Sequence, residues 1–188
     1  VNFDTGESFA PSVTEGPTLE LSLAGLPSGT TTARVTTDTS TSPSGIGFGA
    51  LAINSEYIAA HRITVETNAT EGYQLFKFAR QQLLSSNGVS IPSVSGTNLI
   101  PASWASACNA SSTGCVGYHS TDPTLKNGST RFAATDTYAG LETTPVEVMY
   151  SSIPTTDVHD IVYRIIVNEL QPAGNYETEI VYLAVPSF

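Results

Sequence analysis

An Asp-Thr-Gly motif near the start of the chain could support peptide-bond hydrolysis. Asp4 is followed by Thr and Gly, and hydrolysis by such a triplet needs two aspartates that share one proton. The chain offers no second copy, since Asp38-Thr39 is followed by Ser and Asp136-Thr137 by Tyr. A homodimer could supply it, but no strand precedes Asp4 to position the carboxylate. We therefore interpret residues 1–15 as an extended N-terminal arm; an edge strand on their own domain and a disordered terminus are the alternatives.

A second acidic cluster combines Asp157, His159 and Asp160 within four residues. These residue types could bind a metal ion or form two-thirds of a catalytic triad. Neighbours in one loop rarely converge without distant partners, so we predict a solvated turn here. His61 and His119 are interpreted as structural or surface residues. The nucleophile-elbow, phosphate-loop, zinc-protease and calcium-loop motifs are all missing from the sequence, so we predict no enzymatic activity, no cofactor and no metal.

The two cysteines, Cys108 and Cys115, lie in a stretch of small, polar residues. This setting favours a disulfide bond formed in an oxidising compartment. Free thiols are one alternative. A metal site is another, but His119 is the one further ligand close in sequence, and the spacing differs from that of zinc knuckles.

Composition narrows the range of partners. The net charge is −10, with seven Lys and Arg in 188 residues. Nucleic acid and anionic membrane surfaces need basic side chains, so neither is expected as a partner. Ser and Thr form about a quarter of the chain, which is common on secreted β-proteins. No apolar run reaches the length of a membrane span. The chain begins with Val1, which is expected after removal of a signal peptide or at an artificial boundary.

The segments that would position any site have the sequence patterns of β-strands. Alternating or β-branched residues predict strands over 18–26, 31–38, 46–53, 58–67, 72–79, 131–136, 146–153, 160–170 and 176–185. Both faces of the two segments 160–170 and 176–185 are apolar, which is typical of central strands, and the segment QPAGN between them predicts a turn. One helical turn is expected at 137–141. About ten strands indicate an all-β protein, an antiparallel β-sandwich of the immunoglobulin-like or jelly-roll-like kind, in a single domain over 1–188; a barrel is the alternative.

Residues 81–130 break this pattern and predict a long irregular insert. The segment is rich in Ser, Gly, Asn and Pro and holds the cysteine pair. Long loops on rigid scaffolds often carry binding sites. Trp104 and Tyr118 are therefore candidate contacts for a ligand such as a glycan.

Three Asn residues lie in N-glycosylation sequences: Asn68, Asn109 and Asn127. A chain this rich in Ser and Thr contains about two such sequences by chance, so their number is weak evidence for a sugar. For Asn68 a turn that ends at Gly72 is a sufficient explanation.

Several segments together resemble one group of proteins. They are TVETNATEGYQLF, PVEVMYSSIP, IVYRIIV and the closing QPAGNYETEIVYLAVPSF. They are similar to segments of secreted surface proteins that carry signal peptides, notably those of candidate-phyla-radiation bacteria, over most of residues 46–188. The resemblance implies an extracellular, cell-surface β-sandwich. It implies no known enzymatic activity and no catalytic residues.

These observations lead to two main hypotheses. The first is a structural subunit of an extracellular filament or surface layer, in which Val1, Phe3 and Phe9 dock as a donor strand on a neighbouring copy. Donor-strand pilins and TasA-type biofilm fibres are its analogues at the level of the fold. The second is a monomeric adhesin or glycan-binding module that uses residues 81–130. A secreted hydrolase that uses Asp157 and His159 is a weaker third alternative.

Overall fold

The computed structural model describes residues 16–108, 112–126 and 131–188. Its elements, in chain order, are β1 (Leu19–Gly25), β2 (Thr31–Thr32), β3 (Val35–Thr36), β4 (Glu56–Thr67), β5 (Tyr73–Ala79), β6 (Leu83–Ser85), β7 (Ser90–Ile91), β8 (Ala102–Ser103), α1 (Trp104–Cys108), β9 (Gly114–Ser120), β10 (Thr137–Tyr138), β11 (Val146–Ser151), β12 (Thr155–Val167), β13 (Tyr176–Glu177) and β14 (Ile180–Pro186).

Two antiparallel sheets form the body of the protein. The large sheet has the strand order β1-β4-β12-β9, and the small sheet has the order β11-β5-β14. β4 and β12 are the longest strands, with 12 and 13 residues, and they pair with each other at the centre of the large sheet. Side chains from both sheets meet in one core. The prediction of an all-β, sandwich-like fold is therefore confirmed.

The core follows from the two-residue period of the strands. On β5, Tyr73, Leu75, Lys77 and Ala79 are buried, while the residues between them are partly exposed. They face apolar side chains of β4 and β12, including Ile63, Val65 and Ile161, which are all fully buried.

The turn between β4 and β5 carries the chain from one sheet to the other. Gly72 adopts φ +71° there, a conformation that glycine takes at little cost. The exposed Asn68 accepts a hydrogen bond at its side-chain oxygen from the backbone N–H of Thr18, at 2.6 Å. Asn68 therefore holds the start of β1 against this turn.

An additional layer covers the outer face of the large sheet. The β2–β3 hairpin lies over one end, where Ala33 and Val35 pack against Ala60 and Val162. At the other end, α1 and the residues around it form a second small core with Trp104, Tyr138 and Ile166. Because this layer covers both ends, the large sheet is buried on both faces along much of β9 and β12.

Several predictions about individual segments are wrong. Residues 46–53 and 131–136 are not strands, and residues 137–141 begin with the short strand β10, not with a helical turn. The proposed irregular insert, 81–130, contains β9, which is a full strand of the large sheet. Its sequence, GCVGYHS, is buried on both faces, so it lacks the polar and apolar alternation that marks a half-exposed strand.

The two segments read as neighbouring central strands also differ from expectation. β12 is central, between β4 and β9, but β14 pairs with β5 in the other sheet. β14 is thus an edge strand of the small sheet. Within the described residues, no helix combines the length and apolar character needed to cross a membrane.

Candidate functional site

One side of the sandwich has its strand edges covered. The outer edge of β9 exchanges backbone hydrogen bonds with flanking loops. Val116 bonds with Pro92 and Val94, and Tyr118 bonds with Ala139, at 2.8–2.9 Å. A further strand could not pair with β9 without displacing these loops.

Side chains cover the outer edge of β11 on the same side. Ser120 donates to the carbonyl of Val148, and Asn98 donates to that of Glu147, at 2.5 and 2.9 Å. The carboxylate of Asp122 accepts from the N–H of Tyr150 at 2.7 Å. These contacts occupy backbone groups that an added strand would need.

The opposite side of the sandwich differs. In the described part of the chain, β1 pairs with β4 alone and β14 pairs with β5 alone. Each of these strands therefore has one edge without a strand partner among the residues that the structure describes. The two open edges belong to different sheets and lie on the same side of the molecule. Such edges are templates for pairing with another strand.

An apolar groove lies beside these open edges and reaches into the core. It has a volume of about 1210 Å³. Leu23 of β1 and Ile180 and Tyr182 of β14 contribute to its walls. Its floor includes Ile165 and Val167 of β12. The groove is thus lined by core side chains and lies next to strand edges that could pair with a further strand.

The loop of residues 43–53 forms one wall of this groove. Ile46, Phe48 and Leu51 of the loop pack against the main core. The segment was predicted to be a strand from this apolar pattern. It forms no ladder with either sheet, and its contacts are side-chain packing and single hydrogen bonds, such as that from the backbone N–H of Ala52 to the hydroxyl of Tyr57 at 3.1 Å.

The outer face of the small sheet is also apolar beside the open edge. Leu183 and Val185 of β14 are 50% and 41% exposed. Leu183 pairs with Phe76 of β5, and the neighbouring Val181 pairs with Phe78. Apolar side chains that cluster on a surface often mark a contact with another protein.

The predicted ligand contacts in 81–130 are less accessible. Trp104 is 4% exposed, and its indole N–H donates to Glu56 at 2.6 Å. The guanidinium of Arg164 lies 4.7 Å from the centre of the Trp104 ring. A pocket of about 350 Å³ adjoins this cluster, but protein groups already engage both the indole N–H and the ring.

Tyr118 was also predicted to contact a ligand, and that prediction is wrong. Its side chain is completely buried because β9 lies inside the sandwich and not in an exposed loop. The phenol donates to Glu142 at 3.0 Å and accepts from Asn98 at 2.8 Å.

The prediction of a solvated turn at Asp157, His159 and Asp160 is wrong as well, because all three lie in β12. Asp160 is buried and accepts hydrogen bonds from Arg62 at 2.8 and 3.0 Å and from Thr32 at 2.8 Å. Asp157 and His159 share the opposite face of the strand by its two-residue period. The strand therefore separates the three residues, and they do not form one site.

The remaining predicted residues have mixed outcomes. Cys108 and Cys115 form the expected disulfide, which joins α1 to the start of β9. The sequons at Asn109 and Asn127 and the arm residues Val1, Phe3 and Phe9 lie outside the described residues. Across the described ranges, no group of His, Cys, Asp and Glu has the arrangement of a metal site.

Two buried histidines predict a pH dependence of stability. Burial lowers the pKa of His61, which lines the groove, and of His119, whose Nδ1 lies 2.8 Å from the carbonyl of Thr137. A lowered pKa in the folded state means that the stabilising contribution is complete above the unfolded value of about 6.5. It is lost as the pH falls below that value.

We therefore expect the free energy of unfolding to decrease on acidification, measured by urea denaturation at about pH 7.5 and about pH 5. Replacing both His61 and His119 with Phe should flatten this part of the profile. An unchanged slope in the double variant would assign the pH dependence to other groups.

No family model matches the chain, and no curated protein or solved structure matches it either. The geometry of the chain itself therefore carries the functional argument. Sequence reasoning proposed the N-terminal arm, which lies outside the described residues, and did not predict the open edges of β1 and β14.

Proposed function

We propose that this chain is a structural subunit of an extracellular filament and that it polymerises by strand addition. In this arrangement the N-terminal arm of one copy occupies the groove of the next and pairs with the edge of β14 or β1. The observation that carries the proposal is the contrast between the two sides of the sandwich. One side is covered by loops and side chains, and the other combines two open edges with an apolar groove.

The arm has suitable chemistry for this groove. Val1, Phe3 and Phe9 occupy odd positions, so an extended arm would place them on one face. Eleven extended residues span roughly 36 Å, whereas the seven residues of β14 span roughly 23 Å. The arm is therefore long enough to pair along the whole strand while its apolar side chains enter the groove.

The contact proposed here is head-to-tail. The donor segment and the acceptor groove are different surfaces of the chain, so each added copy presents a new groove, and growth continues. The Cys108–Cys115 disulfide supports an oxidising compartment such as the cell exterior.

The test is electron microscopy of the purified chain beside a variant that lacks residues 1–11. We expect filaments from the full chain and monomers from the deletion, because the deletion removes the donor strand. A Phe3→Ser/Phe9→Ser double variant keeps the arm length but removes its apolar contacts, and it should also remain monomeric. The matched control is Asp4→Ser/Ser8→Ala, which changes polar arm positions and should still polymerise.

The acceptor side can be tested separately. The Leu23→Trp substitution should fill part of the groove, so the variant should not accept a further subunit. The arm of the variant is unchanged, so it should still bind the groove of a wild-type subunit and stop growth at that end. A synthetic peptide of residues 1–15 should bind the arm-deleted chain and compete with polymerisation. Monodisperse monomers from the full chain under several salt and pH conditions, together with no peptide binding, would refute the proposal.

A further inference from the structure

The core contains an amine without a hydrogen-bond partner. Lys77 lies on the inward face of β5 and is completely buried, and its Nζ makes no hydrogen bond. It lies 3.6 Å from the centre of the Tyr118 ring and 5.9 Å from that of Tyr163. Burial lowers the pKa of Lys77 to about 7, against the opposing effect of Glu142. A neutral amine is a nucleophile, so Lys77 could attack an electrophilic group beside it.

Two further polar groups meet at the same Tyr118 side chain. Asn98 is 2% exposed, and its Nδ2 donates to the Tyr118 hydroxyl at 2.8 Å. Glu142 accepts from that hydroxyl at 3.0 Å, and its other oxygen accepts from the backbone N–H of Asn98 at 2.7 Å. An amine, a carboxamide and a carboxylate therefore surround one buried phenol ring.

The contacts of Asn98 make its carboxamide a good electrophile. Arg131 donates to Oδ1, which draws electron density from Cγ and would stabilise negative charge on that oxygen. Nδ2 donates to the Tyr118 hydroxyl and to the carbonyl of Glu147, so the hydrogen bonds of the nitrogen also hold the group in place. Water is excluded from this region because the surrounding residues are buried.

We propose that Lys77 and Asn98 form an intramolecular isopeptide bond. Nζ of Lys77 swings from above the phenol ring and attacks Cγ of Asn98, so that an Nζ–Cγ bond forms and Arg131 stabilises the oxyanion. Glu142 takes a proton from Nζ and returns it to Nδ2. The Cγ–Nδ2 bond then breaks and ammonia leaves. The atoms balance without an oxidant or a cofactor.

The crosslink would join β5 to the segment between β7 and β8. That segment covers the edge of β11 through the contact of Asn98 with Glu147. The bond would therefore fix the covered side of the sandwich covalently, and it would replace a buried amine with a neutral amide.

Intact mass spectrometry of the reduced full chain tests the proposal. We expect a mass about 17 Da below that of the sequence, which corresponds to the loss of ammonia. Lys77→Met and Asn98→Ala should each restore the full mass, and Glu142→Gln should restore all or most of it. Fragmentation of a protease digest should find the Lys77 and Asn98 peptides joined.

One side reaction needs its own control. Asn-Gly sequences form succinimides with the same loss of mass, and the chain has two, at Asn87 and Asn127. The Asn87→Ala/Asn127→Ala double variant should therefore keep the deficit. A full sequence mass for the wild-type chain would overturn the proposal, as would a deficit that disappears in this double variant or persists in Lys77→Met.

Stability gives an independent readout. If Lys77 is a free buried amine, Lys77→Met should raise the melting temperature, because it replaces an unpaired polar group with an apolar one of similar size. If the crosslink exists, the same variant should lower it. A variant that fails to fold leaves the mass of the wild-type chain as the deciding measurement.

Discussion

Glu147→Ala should destabilise the protein by about 3–5 kcal/mol, because it removes one partner of a buried ion pair. Arg131 and Glu147 lie 2.8 Å apart, with side chains that are 6% and 9% exposed. The same carboxylate accepts from Gln74 at 2.6 Å and from the N–H of Lys126 at 2.7 Å. The alanine variant leaves the Arg131 charge buried without its carboxylate. Urea denaturation monitored by circular dichroism measures the loss.

A surface pair provides the matched control for this prediction. Arg80 and Glu179 lie 2.6 Å apart, but their side chains are 65% and 62% exposed. Glu179→Ala should therefore change the free energy of unfolding by less than about 1 kcal/mol. Equal losses at Glu147 and Glu179 would show that burial does not determine the cost of breaking these pairs.

Gly72→Ala should cost about 3 kcal/mol, for two reasons that act together. Gly72 has φ +71°, and a Cβ atom at this position would lie 2.2 Å from the backbone oxygen of Ser151. Relief of that contact requires movement of the backbone where β4 crosses to β5. The loss should appear as a lower urea midpoint with an unchanged slope.

Gly29→Ala separates these two reasons. Gly29 also has a positive φ, of +86°, but a Cβ atom there meets nothing within 4 Å. Its substitution should cost about 1 kcal/mol, which reflects backbone conformation alone. If both variants lose the same free energy of unfolding, the close approach to Ser151 does not contribute to the cost.

Most of the strands that sequence predicted well carry a local signal of strand structure. β1 and β5 show a clear two-residue period, and β4 is rich in β-branched residues. β9 was not predicted because it is buried on both faces. Its glycine, cysteine and histidine residues therefore do not alternate with exposed polar residues, and the two-residue period of a half-exposed strand is missing. Residues 46–53 have the opposite character. They are apolar enough for a strand, but neither sheet has a place for them.

The candidate site could also be predicted from the sequence only in part. The arm could be proposed from Val1, Phe3 and Phe9, because the period of an extended segment is local information, and it stays a prediction. The groove could not be recognised, because it depends on which strands lie at the edges, and strand order is set by contacts distant in sequence. Lys77 had a local signal that went unused, since it shares the inward face of β5 with Leu75 and Ala79.

The unequal protection of the two sides of the sandwich has a consequence for the shape of an assembly. A subunit with one acceptor side and one donor segment has two connections, which is the number needed for an unbranched chain. The loops over β9 and the side chains over β11 deny a third connection. The same protection blocks sideways growth through β9 and β11 onto another copy, the route by which exposed edges lead to amyloid-like aggregates. A polymer of this chain should therefore be thin and of constant width.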